Sequence, residues 1–135
     1  MNGRMIARLL SKVLYISAAL LVLPLIAGLV YGESVVNFVV TIAATAAAGF
    51  VLSLFKPRSS ALTARDGFAT VGLSWVLLGL FGAIPFVISG DIPNYIDALF
   101  ETVSGLTTTG ASILPDVEAL SRGGLFWRSF THWIG

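Results

Sequence analysis

Three long stretches without a charged residue constrain this chain most. They cover residues 13–31, 35–55 and 67–89 and are 19, 21 and 23 residues long. About 20 apolar residues in a helix cross the hydrocarbon core of a bilayer. Charged residues make up 11% of the chain, against about 25% in a soluble domain. The sequence therefore predicts an all-α integral membrane protein surrounded by the lipid bilayer.

Small residues within these stretches predict close packing of the helices. The second stretch contains small residues spaced by four, namely Ala43 and Ala47, Ala44 and Ala48, and Thr45 and Gly49. The third stretch contains Gly72, Gly79, Gly82 and Ala83. Such positions let two helix backbones approach each other. We expect residues 1–60 to form an N-terminal transmembrane hairpin, kinked at Pro24 because proline lacks a backbone N–H.

The basic residues predict the orientation in the membrane. They collect before the first stretch and between the second and third, at Arg4, Arg8, Lys12, Lys56, Arg58 and Arg65. Positive residues favour the cytoplasmic side, so we expect a cytoplasmic N-terminus. Glu33 is interpreted as a simple charge in the opposite loop. The net charge of +1 gives no indication of a nucleic-acid partner, and the absence of cysteine excludes disulfides and thiol chemistry within these residues.

Residues 95–106 are predicted to form a helix that enters the membrane without crossing it. Asn94 is a good N-cap and Asp97 suits the positive end of a helix. Twelve helical residues extend for about 18 Å, roughly half a bilayer. The chain becomes polar again after residue 112, and a new apolar run begins at 125–135. Eleven residues are too few to span, so we expect these 135 residues to belong to a longer protein.

The segment between these helices, residues 107–111, has the chemistry of a cation site. Three threonines and a glycine favour irregular backbone, and irregular backbone at membrane depth must be buried in protein or line a watery cavity. Backbone carbonyls in such a loop replace the water around a cation. The negative end of the preceding helix would favour a positive ion. The residues alone leave two alternatives, a pore loop or a short interfacial helix with a glycine cap.

A resemblance to a known family favours the pore loop. Three segments resemble the Trk/Ktr/HKT superfamily of potassium transporters. They are residues 100–112, Phe-Glu-Thr-Val-Ser-Gly-Leu-Thr-Thr-Thr-Gly-Ala-Ser, together with Phe126-Trp127-Arg128-Ser129 and His132-Trp133-Ile134-Gly135. The two helices before them are similar to those of the membrane subunits of bacterial Trk systems. The resemblance implies four helix–pore-loop–helix units around one pore. Residues 61–135 would be the first unit, with a transmembrane helix at 67–89, a re-entrant pore helix at 95–106, a filter at 107–111 and the next transmembrane helix starting at 125–135.

The resemblance also implies the site, the ion and the partners. The filter strand would be Thr107, Thr108, Thr109, Gly110 and Ala111, with K⁺ held by the main-chain carbonyls of Thr108, Thr109 and Gly110 and no cofactor. Members of the superfamily are usually dimers gated by a cytoplasmic nucleotide-binding subunit, and the resemblance implies the same partners here. The expected location is the inner membrane of a bacterial cell, with three further pore units later in the same chain.

Two charged residues are candidates for supporting the pore helix. Glu101 either adds negative potential to the outer vestibule or is a solvated or hydrogen-bonded carboxylate. Arg128 either pairs with Glu101 or extends to lipid headgroups. His132 stands alone and is not expected to bind a ligand. The alternative function is a non-transporting membrane scaffold. An enzyme is not expected, because no nucleophile–base or paired-carboxylate pattern lies at membrane depth.

Overall fold

The chain folds entirely into helices. A computed structural model describes all 135 residues. Its helices are α1 (Gly3–Leu20), α2 (Val22–Val30), α3 (Val36–Ser53), α4 (Ala64–Gly82), α5 (Ile84–Ser89), α6 (Tyr95–Leu106) and α7 (Arg122–Ile134), with a 3₁₀ turn at Val117–Ala119. Three helical stretches are long and apolar enough to cross a membrane, Gly3–Val30, Val36–Ser53 and Ala64–Ser89. The predicted all-α membrane class is confirmed.

The first helix begins ten residues before the uncharged stretch at residue 13. The side chain of Asn2 caps it by accepting a hydrogen bond from the Met5 N–H at 3.2 Å. The basic residues Arg4, Arg8 and Lys12 therefore lie on a helix rather than in a loop. They follow one another at four-residue spacing and so share one helix face.

Two of the long helices are interrupted close to a proline. The first is broken at Leu21, three residues before Pro24, where the sequence predicts a kink. The second is broken at Ala83, two residues before Pro85, and this break was not predicted. Side chains supply hydrogen bonds to carbonyls around it: Tyr95 Oη to Leu80 O at 2.7 Å, Trp127 Nε1 to Gly82 O at 2.9 Å and Asn37 Nδ2 to Pro85 O at 3.3 Å. Neighbouring helices thus stabilise the bend, as an apolar environment requires.

Helix α3 packs on α1 through one face of small and hydroxyl residues. Thr41, Thr45 and Gly49 are buried on this face, and a Cβ at Gly49 would lie 3.4 Å from both Leu14 Cβ and Ser11 O. The threonine hydroxyls donate to carbonyls one turn earlier, at 2.6 and 2.7 Å. Of the three predicted small-residue pairs only Thr45 and Gly49 are fully buried, whereas Ala43 and Ala47 are exposed. Ala43 and Ala47 therefore do not contribute to the contact with α1, because spacing alone does not tell which face of a helix meets its neighbour.

Glycines on α4 set the position of α6. A Cβ at Gly79 would lie 3.2 Å from Val103 Cγ2, and one at Gly82 would lie 2.8 Å from Thr102 Cγ2. Gly72 has no such neighbour and does not serve as a packing position here. The two halves of the chain share one apolar core, formed by Leu21, Phe38, Ala83, Phe86, Ile92, Ala98, Leu120 and Trp127. This shared core fixes α6 and α7 against α3 and the junction of α1 and α2.

Candidate functional site

Helix α6 positions the hydroxyl-rich segment that follows it. It occupies Tyr95–Leu106, and the side chain of Asn94 caps it by accepting a hydrogen bond from the Ile96 N–H at 2.8 Å. Near its other end, Gly105 lies so close to α7 that a Cβ there would overlap Thr131 Oγ1. The negative end of the helix therefore points at the residues that follow, 107–112.

The backbone N–H groups of residues 107–110 turn back toward α6. Thr107 N donates to Val103 O at 2.9 Å and Thr108 N to Gly105 O at 2.9 Å. Thr109 N and Gly110 N both donate to Ser104 O, at 2.9 and 3.4 Å. Two N–H groups that converge on one oxygen form a small nest, a geometry that requires left-handed backbone at alternate residues.

The backbone angles of the turn meet that requirement. Thr108 has φ +56°, the only positive value at a non-glycine residue in the chain, and Gly110 has φ +76°. In each trans peptide unit the N–H and the C=O point in opposite directions, so the carbonyls of Thr107, Thr108 and Thr109 face away from α6. The carbonyl oxygens of Thr107, Thr108, Thr109 and Gly110 accept no hydrogen bond from the protein. The turn thus has satisfied donors on one side and open acceptors on the other.

Hydroxyl groups hold the turn in this shape. Ser104 Oγ donates to Ala111 O at 2.5 Å and closes the loop across seven residues. Thr107 Oγ1 lies 2.8 Å from Thr109 Oγ1, within hydrogen-bond distance. An open groove of about 450 Å³ runs beside the turn, lined by Ile96, Leu99, Phe100, Val103, Ser104, Thr107, Thr109 and Ala111. The predicted filter residues are themselves exposed in this chain.

The Glu101 carboxylate joins three parts of the site. Only 1% of Glu101 is exposed. One of its oxygens accepts hydrogen bonds from Ser112 Oγ at 3.0 Å and Ile113 N at 3.2 Å, and the other is paired with Arg128 Nε of α7. A buried carboxylate with these partners ties α6, the exit of the turn and α7 together. The structure brings Glu101 and Arg128 into contact, and this is the only ion pair in the chain.

Two acidic residues hold the beginning of α7. Glu33 Oε1 accepts a hydrogen bond from Arg122 N at 2.8 Å, and its Oε2 accepts one from Gly123 N at 3.1 Å. Asp91 accepts hydrogen bonds from the backbone N–H and the hydroxyl of Ser121, at 3.2 and 2.6 Å. Carboxylates at a helix N-terminus satisfy its free N–H groups and complement its dipole. The interpretation of Glu33 as a simple loop charge was wrong, because the fold places it in contact with Arg122, which lies 89 residues later in the sequence.

Three further residues at the site were not assigned a role from the sequence. Ser104 and Ser112 clamp the turn, and the ring of His132 lies beside it, since a Cβ on Gly110 would be 3.9 Å from His132 Nε2. His132 Nδ1 is within 3.0 Å of Arg128 O. Both serines lie in the quoted 100–112 motif, so their hydroxyls were available as a signal. The position of His132 depends on how α7 crosses α6 and has no local signature.

Together these features define a class: a polytopic membrane protein in which a half-length helix and an ordered, carbonyl-bearing turn follow three helices long enough to cross a membrane. A family model described as cation transport protein, TrkH, matches residues 33–135. The chain belongs to this TrkH family, and the resemblance to Trk-type transporters is confirmed. An enzymatic role is not expected of a cation transport family.

Individual relatives agree with this assignment. The chain is 35% identical to the Trk system potassium uptake protein TrkH of Halomonas elongata over 100% of its own length and 29% of the relative. It is 35% identical to an uncharacterized cation transporter of Methanocaldococcus jannaschii over 96% of this chain and 27% of that protein. The crystal structure of the potassium transporter TrkH from Vibrio parahaemolyticus superposes with a TM-score of 0.90 at 35% identity, over 99% of this chain and 29% of that one. The chain thus spans less than a third of the length of these relatives.

Proposed function

We propose that this chain is the N-terminal part of a potassium uptake subunit, and that its turn forms one of four sides of the ion filter. In this proposal the carbonyls of Thr108, Thr109 and Gly110 bind K⁺, with Thr107 and Ala111 at either end of the strand. The observation that carries it is the two-sided turn, whose N–H groups are bonded to α6 while four carbonyls accept no bond. Oxygen ligands of this kind replace the hydration shell of a potassium ion.

The electrostatics of α6 and the names of the relatives support the same ion. The C-terminal end of a helix carries about half a negative charge, which lowers the energy of a cation held next to the turn. The relatives from Halomonas elongata and Vibrio parahaemolyticus are a potassium uptake protein and a potassium transporter. K⁺ is then the transported ion, and no cofactor takes part.

Glu101 and Arg128 act in this proposal as a brace. The Glu101 charge is buried and compensated by Arg128, so its contribution to the potential of the vestibule is small. Its hydrogen bonds to Ser112 and Ile113 instead fix where the strand leaves the turn. A brace of this kind keeps the carbonyls at the distances that favour one ion over another.

The complete assembly is inferred by extension from the family. Three more helix–pore-loop–helix units would follow in the same chain, since one strand cannot surround an ion. We place the protein in the bacterial inner membrane with its N-terminus in the cytoplasm, as a homodimer that a cytoplasmic nucleotide-binding subunit regulates. A scaffold without transport is the weaker alternative, because a mere packing cap has no need of four unbonded carbonyls.

Replacement of Gly110 by alanine in the full-length protein tests the filter. Gly110 has φ +76°, and an added Cβ meets nothing closer than His132 Nε2 at 3.9 Å, so the change alters backbone strain without a clash. Left-handed backbone costs a non-glycine residue about 1–2 kcal/mol. We expect the K⁺ over Na⁺ preference to fall by about 5- to 30-fold in uptake by a K⁺-uptake-deficient host.

Gly90 provides a control with the same strain. Its φ is +80°, and a Cβ there also meets nothing within 4 Å. Gly90→Ala should leave ion preference within about two-fold of the unaltered protein, because that site lies outside the turn. An equal K⁺ over Na⁺ preference in the Gly110 and Gly90 variants would show that the turn is not part of the filter.

Cysteine labelling tests the orientation. The chain has no cysteine of its own, so Ser34→Cys and Ser59→Cys report on the two ends of the bundle in a cysteine-free full-length protein. A membrane-impermeant maleimide added to intact cells should label position 34 and leave position 59 unlabelled. The reverse pattern would contradict a cytoplasmic N-terminus.

A further inference from the structure

Opposite charges are distributed very unevenly between the two ends of the bundle. The start of α1, the loop from α3 to α4 and the first turn of α4 carry six of the eight basic side chains and one of the seven acidic ones. That acid, Asp66, accepts hydrogen bonds from Asn2 N at 2.9 Å, Thr63 N at 3.1 Å and Thr63 Oγ1 at 2.8 Å. Its charge is therefore already used to cap α4 and to anchor the N-terminus, and the basic residues have no carboxylate partner.

Three of the basic residues face one cavity. It has a volume of about 250 Å³ and lies between α1 and the loop, with Arg8, Lys12 and Arg58 in its lining. Met5, Leu9, Pro57, Ser59 and Ser60 complete the lining, so no acidic residue contributes. The guanidinium and ammonium groups of the three residues make no hydrogen bond or ion pair within the protein. The cavity is smaller than the roughly 300–1,000 Å³ of pockets for drug-sized ligands and suits a compact group.

The fold holds the two sides of this cavity together. Asn2 Nδ2 donates to Ser59 O at 3.2 Å, and the Asn2 N–H binds Asp66. These bonds keep the loop, with Arg58, against the helix that carries Arg8 and Lys12. Arg8 and Lys12 are four residues apart on α1, a spacing at which like charges repel each other. An unpaired set of cations that is held together by the fold stabilises an anion.

We propose that Arg8, Lys12 and Arg58 form a binding site for a phosphate-bearing anion. A lipid headgroup is one source, because the uncharged stretch of α1 begins at residue 13, directly after Lys12, and Met5 and Leu9 offer apolar surface next to the cations. Free inorganic phosphate is the other. Arginine binds phosphate oxygens in pairs and lysine binds them as a point charge. This site is separate from the turn and does not depend on which ion the turn binds.

Binding to the purified full-length protein tests the site. Native mass spectrometry with added phosphatidylglycerol or phosphatidylcholine measures the lipid arm, and calorimetry with inorganic phosphate in detergent measures the other. Direct contacts of the three cations with the phosphate add to the general attraction that every basic residue near a membrane exerts. The Arg8→Gln, Lys12→Gln, Arg58→Gln triple variant should therefore lose on the order of 100-fold in affinity, about ten-fold more than a variant with the same loss of charge outside the cavity. The control is a second triple variant at the same end, Arg4→Gln, Lys56→Gln, Arg65→Gln, which removes equal charge outside the cavity.

The outcomes separate the sources and the alternatives. Phosphatidylglycerol binding that is lost only in the cavity variant supports a lipid site, and phosphate binding lost in the same pattern supports a free-phosphate site. The single variant Lys12→Gln, with an expected loss of about five-fold, keeps the test valid if the triple variant does not fold. Equal losses in both triple variants, equal binding of the two lipids without phosphate binding, or no binding of any of the three ligands would overturn the proposal.

Discussion

Loss of the Glu101 charge should weaken the site, because the Arg128 guanidinium is then left without its partner. Glutamine at this position keeps the shape of the side chain and one acceptor oxygen for Ser112 and Ile113. It replaces the second oxygen by an amide group that faces the Nε–H of Arg128, so a charge-assisted bond becomes a contact between two donors.

The magnitude follows from the burial of the pair. The side chain of Glu101 is 0% exposed and that of Arg128 is 16% exposed. Removal of one partner of a fully buried pair costs about 3–5 kcal/mol. Because Arg128 retains some contact with solvent, we expect Glu101→Gln to lower the free energy of unfolding by about 2–3 kcal/mol.

Reversible unfolding of the full-length protein in mixed micelles of mild detergent and SDS measures this difference. Glu118→Gln is the control, since Glu118 is exposed on the 3₁₀ turn and its carboxylate makes no ion pair. The double variant Glu101→Gln, Arg128→Gln should be less destabilised than the sum of the two single variants, by at least about 1 kcal/mol. If Glu101→Gln unfolds like Glu118→Gln, or if the double variant is simply additive, the carboxylate does not brace the site.

Two further changes test how α7 is held. Glu33→Gln should destabilise the full-length protein by about 1 kcal/mol, because a neutral side chain no longer complements the N-terminus of α7. This loss of stability should become smaller at high salt. An effect that salt does not change would contradict the electrostatic explanation. Gly105→Ala should cost about 1–3 kcal/mol in the same unfolding assay, because the new Cβ would lie 2.9 Å from Thr131 Cβ and overlap its hydroxyl. Gly72→Ala, where a Cβ meets nothing within 4 Å, is the matched control, and equal results for both glycines would refute the close approach of α6 and α7.

The membrane class and the short helix could be predicted from local features of the sequence. A stretch of about 20 apolar residues without a charge identifies a spanning helix wherever the stretch lies in the chain. The bounds of α6 coincide with the predicted 95–106 because Asn94 caps the helix and the threonines after Leu106 end it. Such signals depend on a few neighbouring residues, and tertiary contacts do not alter them.

Other features depend on contacts between distant residues and have no local signal. Spacing showed that α3 carries small residues, yet only the packing on α1 selects Thr45 and Gly49 over Ala43 and Ala47. The bond from Glu33 to α7 joins residues 89 apart, and nothing near Glu33 distinguishes it from an ordinary loop charge. The left-handed backbone at Thr108 is likewise imposed by the bonds of the turn to Ser104, since threonine disfavours it.

In the proposed function the carbonyls of the turn bind the transported ion. The most direct measurement is anomalous diffraction from crystals of the full-length protein grown with Rb⁺, a heavier substitute for K⁺. We predict Rb⁺ density on the pore axis within bonding distance of the carbonyls of Thr108, Thr109 and Gly110. Rb⁺ density confined to other parts of the protein, with these three carbonyls facing away from every ion, would show that the turn is not the ion-binding strand.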